Sequence, residues 1–170
     1  MKKAGILLTI LLSSSLAIFA QTDAMTTLFS AYANDARFVK VNVSSKMFEL
    51  FSNVEGDTPE EQEFLKTVQN LTGLKVLTME NNSQAKELYR QSLKKVLSPY
   101  EQLMSIEDKS EQITFFIKEK NGVISELLML SGGESSFVIL SLSGKIDLQQ
   151  VKKLSKQMSI GGMDKLNKIK

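Results

Sequence analysis

The sequence predicts an α+β domain, in which a mixed, mostly antiparallel sheet of about five strands carries four to six helices. The strongest observation is a C-terminal three-stranded meander. Residues 112–118 alternate, with apolar Ile113, Phe115 and Ile117 on one side, and the strands over 123–131 and 136–143 follow. Lys120-Asn121-Gly122 and Gly132-Gly133 supply the turns between them. Isolated alternating segments at 37–43 and 74–80 add two strands, and apolar residues spaced three and four apart between them predict the helices.

The first half of the domain opens with a helix over 23–34, followed by a strand over 37–43. Ser44 is placed to cap a second helix that ends before Gly56. On the strand, alternation places three valines on one face and polar residues on the other, and we expect the valine face to be buried. These residues are Val39, Val41 and Val43.

Thr58-Pro59 with Glu61 predicts a capping box that begins a third helix, which runs to about Leu71 and ends at Thr72-Gly73. After the second strand, a longer helix carries Ala85, Leu88, Tyr89 and Ser92 on one side.

The pattern Ser98-Pro99 with Glu101 repeats that capping arrangement and predicts a short helix over about 100–106. The third strand of the meander is apolar on both faces, so we expect it to lie centrally in the sheet. Asp147 then caps a last helix.

The N-terminus has the three parts of a secretory signal: Lys2-Lys3, an apolar run, and the small residue Ala20 before Gln21. We expect cleavage between Ala20 and Gln21, a single domain over 21–158, and a flexible basic tail over 159–170. The apolar run is too short and too interrupted for a stable membrane anchor, and there is no cysteine for lipid attachment. The expected location is periplasmic or secreted.

Composition excludes several classes of chemistry. The chain has no His and no Cys, which removes Ser-His-Asp triads, Cys nucleophiles and His- or Cys-ligated metals. Lys2 and Lys3 account for the whole net charge of +2, so the mature chain is neutral and nucleic acid is not an expected partner. No metal, cofactor or catalytic motif is predicted, and we expect that the protein is not an enzyme.

Two sets of residues are candidates for function. Glu126 lies inside an apolar strand, where we favour an outward-facing side chain; a hydrolase would need Glu126 paired with Glu101 or Glu111. If helices covered only one face of the sheet, an exposed apolar surface would remain that could bind a partner, although we favour helices on both faces. That possible interaction surface consists of Leu128, Leu130, Val138 and Leu140.

Five stretches of the chain form a recognisable set through their order and spacing, although each is weak alone. They are Phe38–Ser44 with Met47-Phe48, Leu71–Leu74, Tyr100–Met104, Ile124–Leu128 and Leu142–Leu148. Together they resemble the exported family known as domain of unknown function 4252, found mainly in Bacteroidetes. The resemblance implies a small single-domain envelope protein with no assigned activity or site.

Three functions therefore remain open. The leading hypothesis is a non-enzymatic binding or envelope-regulatory module, whose partner is an envelope protein or a second copy of the chain. The alternative is a carrier of a small apolar ligand held between sheet and helices. A carboxylate-dependent hydrolase comes third.

Overall fold

The computed structural model describes residues 24–96 and 98–152. The predicted signal, its cleavage site at Ala20 and Gln21, and the tail at 159–170 lie outside these residues. Within them the chain forms six strands and five helices. In chain order these are α1 (Ala24–Ala31), β1 (Val39–Ser44), α2 (Ser45–Ser52), α3 (Pro59–Val68), β2 (Leu71–Met79), α4 (Ala85–Leu93), β3 (Tyr100–Glu107), β4 (Glu111–Lys120), β5 (Val123–Gly133), β6 (Phe137–Ile146) and α5 (148–152), at which the described chain ends.

The strands form one sheet in the order β1-β2-β6-β5-β4-β3, and every neighbouring pair is antiparallel. This confirms the α+β class and the β4-β5-β6 meander. It also confirms that the third strand of the meander lies inside the sheet. The sheet has one strand more than predicted, and it is antiparallel throughout rather than mixed.

The additional strand is β3, where the sequence analysis predicted a short helix. The Ser98-Pro99 pattern does not begin a helix: residues 98 and 99 form a turn joined by a cis peptide bond, and Tyr100 begins β3. The prediction was wrong because the capping pattern is local, whereas pairing along β4 supplies backbone hydrogen bonds over the length of β3.

Other boundaries move by a few residues. The capping box at Thr58 is confirmed, since the Glu61 amide donates to the Thr58 hydroxyl and the Thr58 amide donates to the Glu61 carboxylate. However, α3 ends at Val68, and Thr72-Gly73, predicted to end the helix, lies within β2. Gly132 and Gly133 are the last two residues of β5 instead of forming a turn. A Cβ at Gly132 would lie 2.5 Å from Cβ of Tyr89, so α4 packs directly on this strand.

Helices cover both faces of the sheet, and each face has its own apolar core. On one face, Leu28 of α1 and Leu88 of α4 pack over Leu128, Leu130 and residues of β2 and β6. On the other, Phe48 of α2 and Val68 of α3 pack with residues of β4, β5 and β6, and Val151 of α5 is buried there too. A six-stranded sheet covered on both faces needs no disulfide for a core of this size.

The predicted interaction surface is therefore not exposed. Leu128, Leu130 and Leu140 are fully buried, and Val138 is half-buried. The first two lie in the core beneath α1 and α4, whereas Leu140 lies in the core of the opposite face. Their burial follows from the position of β5 and β6 in the middle of the sheet, where helices on both sides exclude water.

Candidate functional site

Glu126 on β5 is the buried carboxylate of the sheet. Its exposed fraction is 5%, so the expectation of an outward-facing side chain was wrong. The Tyr100 hydroxyl donates to Oε2 at 2.6 Å, and the Ser141 hydroxyl donates to Oε1 at 2.6 Å. The sequence contains a sign of this burial. Residues two apart on a strand share a face, and Glu126 lies two residues before Leu128 and four before Leu130.

Strand register explains why these groups meet. Tyr100 on β3 pairs with Lys118 on β4, which pairs with Glu126 on β5, so the three side chains form a row across one face of the sheet. The Lys118 ammonium lies 5.7 Å from the centre of the Tyr100 ring. Because both carboxylate oxygens of Glu126 accept hydrogen bonds from buried hydroxyls, the group serves to hold β3 to the interior of the sheet.

The structure does not bring together the acid pairs considered for hydrolysis. Glu101 pairs with Ile117, whose side chain belongs to the opposite face from Glu126. Glu111 lies at the other end of β4, about 23 Å along the strand from Lys118, and accepts a hydrogen bond from Ser131 at 2.8 Å. Within residues 24–96 and 98–152, no cluster of three acidic side chains could hold a metal ion.

A second feature is an exposed apolar surface at the other end of the sheet. Among the described residues, six large apolar side chains are exposed, and five of them come from β1, α2 and the residues just after α2. We call these five the β1–α2 surface. They are Val39 (63% exposed), Val41 (45%), Met47 (46%), Leu50 (57%) and Val54 (53%).

The β1–α2 surface arises because α2 covers only part of its strand. The chain turns directly from Ser44 into α2, which packs Phe48 into the core and covers the Val43 end of β1. Val39 and Val41, on the same face as Val43, remain exposed. The alternation predicts burial for all three valines, and this is wrong for Val39 and Val41 because β1 lies at the edge of the sheet.

The outer edge of β1 is also open as far as the structure describes the chain. Within residues 24–96 and 98–152, β1 pairs with β2 alone, and all six of its residues pair in unbroken register, without a bulge. An edge strand of this kind presents unpaired N–H and C=O groups to any chain that lies beside it. The β1–α2 surface therefore combines apolar side chains with free backbone hydrogen-bonding groups.

Polar contacts hold the start of β1 in place. Arg37 forms a two-pronged ion pair with Asp35, with a shortest distance of 2.7 Å, and donates to Gln84 before α4 at 3.0 Å. Hydrogen bonds from the Arg37 side chain and amide lower the pKa of Asp35 to about 2. Lys40 donates from its ammonium group to the Ala33 carbonyl at 2.6 Å. These contacts fix the start of β1, whose outer edge has no partner strand among the described residues.

Two open surface grooves exist beside these features. One, of about 280 Å³, lies between α1 and the β1–β2 end of the sheet and includes Lys40 and Lys75. The other, of about 360 Å³, lies between the end of α2 and α3 and includes Glu55 and Lys66. Neither contains Glu126. Within the described part of the chain, no helix is long and apolar enough to cross a membrane.

Comparison with known proteins gives one match. A family model described as a domain of unknown function (DUF4252) matches residues 32–154, which include β1 to β6. No curated protein matches the chain. No solved structure matches it either.

Proposed function

The chain belongs to the family described as domain of unknown function 4252, and from that premise we propose that it is a non-enzymatic binding module of the cell envelope. Its partner supplies an extended strand that pairs with β1. The N-terminal signal pattern and the resemblance to an exported Bacteroidetes family support the envelope location. The observation that carries the proposal is the β1–α2 surface together with the open edge of β1.

The size of the surface indicates what kind of partner is needed. Fully burying a Val, Leu or Met side chain contributes about 1.5–3 kcal/mol. Five side chains that are roughly half exposed would contribute about 4–8 kcal/mol in total, whereas association costs about 4–15 kcal/mol. Apolar contact alone is therefore marginal. A partner that also forms backbone hydrogen bonds along β1 would add the missing affinity, as in strand addition to a sheet edge.

The chemistry of the partner follows from the pleat of β1. Its apolar face carries Val39 and Val41, and its other face carries Lys40 and Asn42. A strand that pairs with it needs apolar side chains at alternate positions on the first face. On the second face it needs polar groups, since Lys40 is exposed and positively charged.

The other two hypotheses have less support. A carrier would need an enclosed apolar cavity between sheet and helices, whereas the groove beside α1 is open and includes two lysines. A hydrolase would need two acids in one cleft, and neither Glu101 nor Glu111 lies near Glu126. Both hypotheses remain predictions from the sequence alone.

Photocrosslinking in the native host tests the proposal. A benzophenone amino acid replaces Val39 in one variant and Val123 in a control, because Val123 is also an exposed valine but lies at the β4–β5 turn. We expect a covalent adduct from position 39 alone. The crosslinked segment, made as a synthetic peptide, should then slow hydrogen exchange of the β1 amides. Absence of an adduct at position 39, equal adducts at both positions, or unchanged exchange would contradict the proposal.

A further inference from the structure

We infer that the strand added to β1 is the β1 strand of a second copy of this chain, so that the protein forms a two-fold symmetric dimer with a continuous twelve-stranded sheet. This inference rests on the proposed function, because it names the partner of the same surface. Three features support it: the sequence of β1, the position of α2, and the contrast with the other edge of the sheet.

The sequence of β1 is self-complementary when two copies run antiparallel. A two-fold axis through Val41 places Val41 opposite its own copy and Val39 opposite Val43 on the apolar face. On the other face it places Lys40 opposite Asn42. Opposed residues in an antiparallel pair share a face, so every valine meets a valine and no charge meets a like charge.

Neighbouring registers can be ranked by the same rule. An axis through Asn42 pairs Val41 with Val43 and Lys40 with Ser44, but leaves Val39 without a partner in β1. An axis through Lys40 would place two ammonium groups opposite each other, which is destabilising. Shifting the two strands by one residue would put valines opposite polar side chains. The pleat excludes this register, because opposed residues must lie on the same face of the sheet. Axes through Val39 or Val43 would each keep only one valine pair, so the registers through Val41 and Asn42 are preferred.

The position of α2 extends the interface beyond the two strands. α2 contacts both β1 and β2 on the valine face, so its axis lies above that pair. Neighbouring strands lie about 4.8 Å apart, and the two α2 helices would then be separated by about 5–14 Å across the two-fold axis. This range includes the roughly 8–10 Å at which helices pack. Met47 and Leu50, both about half exposed, are available for that contact.

The other edge strand of the sheet is less suited to pairing with a second copy. At the opposite edge, β3 has a register shift between Gln102 and Met104 and carries the exposed acids Glu101 and Glu107. Two copies of β3 could pair in regular register only over the few residues on one side of the bulge. Self-association is therefore expected at β1 alone. Because each copy then has one self-pairing edge, two copies form a closed dimer and not a filament.

Single-cysteine crosslinking tests the inference, because the chain has no cysteine of its own. Opposed residues in an antiparallel pair have Cα atoms about 4.5–5.5 Å apart, which suits a disulfide. Val41→Cys should form a disulfide dimer under mild oxidation if the axis passes through Val41, and Asn42→Cys should do so if it passes through Asn42. Val123→Cys is the control and should form no disulfide-linked dimer. If neither β1 variant crosslinks faster than the control, the inference is wrong.

Sedimentation equilibrium of the purified protein gives a second measurement that needs no oxidation. We expect a reversible dimer that Val41→Lys weakens by about 10- to 30-fold, because an axis through Val41 would replace the central Val41–Val41 pair with two opposed ammonium groups. Val123→Lys should leave the dimer unchanged. A monomer at all concentrations, or equal weakening by both variants, would overturn the inference. If position 39 nevertheless crosslinked to a different protein in the host, the proposed function would survive without the dimer.

Discussion

The two edge strands of the sheet, β3 and β1, differ in regularity, charge and exposure. β3 is interrupted by a register shift, carries Glu101 and Glu107, and is tied to the interior through Tyr100 and Glu126. β1 pairs in unbroken register, has no acidic residue, and exposes Val39 and Val41. Bulges and charges are the usual means by which proteins prevent edge strands from pairing with other chains.

This difference indicates where the molecule is available for contact. β3 combines a bulge with two exposed acidic side chains, whereas β1 has no bulge and carries one charged side chain, that of Lys40. Exposed valines on a regular edge would favour aggregation unless a defined partner covers them. The comparison therefore supports β1 as the binding edge, and the following three predictions test it from the largest expected effect to the smallest.

The first prediction concerns the row that runs inward from β1. Val41 pairs with Val76, and Val76 pairs with Leu140, so all three side chains lie on one face. Leu140 is fully buried whereas Val41 is 45% exposed. We expect Leu140→Ala to lower the free energy of unfolding by about 2–5 kcal/mol, and Val41→Ala to change it by less than about 0.5 kcal/mol.

Urea denaturation at a protein concentration low enough to prevent self-association provides the measurement. Val41→Ala is the control for the substitution itself, since both changes truncate an aliphatic side chain on the same face. Equal losses of stability in the two variants would mean that β1 is packed as tightly as the centre of the sheet. The contrast between an open edge and a closed interior would then be wrong.

The sequence predicts regular elements well where the signal is local. The capping box at Thr58, the meander strands and the α4 stripe through Leu88 depend on neighbouring residues, and all three are confirmed. Residues 100–107 were misassigned because their state depends on β4, a long-range partner that a cap-like pattern cannot reveal.

The candidate site was harder to predict because exposure depends on strand order. Alternation along 37–43 correctly predicts a strand with a valine face, but burial of that face requires a neighbour on both sides. β1 has only β2 beside it, and α2 covers only its Val43 end. Conversely, Leu128 and Leu140 were candidates for exposure, and their central position buries them. Composition alone does not contain this information.

The second prediction tests whether β3 is held by its buried carboxylate. Tyr100→Phe removes the hydroxyl that donates to Glu126, which leaves a buried carboxylate oxygen without that partner. We expect a loss of about 1–3 kcal/mol in unfolding free energy. Tyr32→Phe is the matched control, because it removes a hydroxyl bonded to the neutral Ser92 at 3.1 Å and should cost about 0.5–1.5 kcal/mol.

Hydrogen exchange locates the effect of Tyr100→Phe. The β3 amides should exchange faster in this variant, whereas the β1 amides should not change. If Tyr100→Phe costs no more than Tyr32→Phe and leaves β3 exchange unchanged, the Glu126 cluster does not hold this edge. The two edges would then differ only in bulge and charge.

The third prediction concerns the anchor before β1 and has the smallest effect. Arg37→Gln removes the guanidinium that lowers the Asp35 pKa to about 2, so this pKa should rise towards the ordinary 3.8. A depressed folded pKa stabilises the fold above pH 3.8, and this contribution is lost as the pH falls to about 2. The variant should therefore show a weaker pH dependence of stability in that window.

Carboxyl carbon NMR titration of Asp35 gives the measurement, with Lys46→Gln as the control because Lys46 pairs with Glu49 in α2 and does not contact Asp35. The same samples show whether the anchor matters for the binding edge. Because Arg37 also donates to Gln84 before α4, its loss should loosen the first residues of β1 and speed exchange at Val39 before Val43. Unchanged exchange at Val39 would mean that pairing with β2 alone holds β1 in place. In that case the open edge would remain preformed without its polar anchor, and a partner strand could bind it without ordering the strand first.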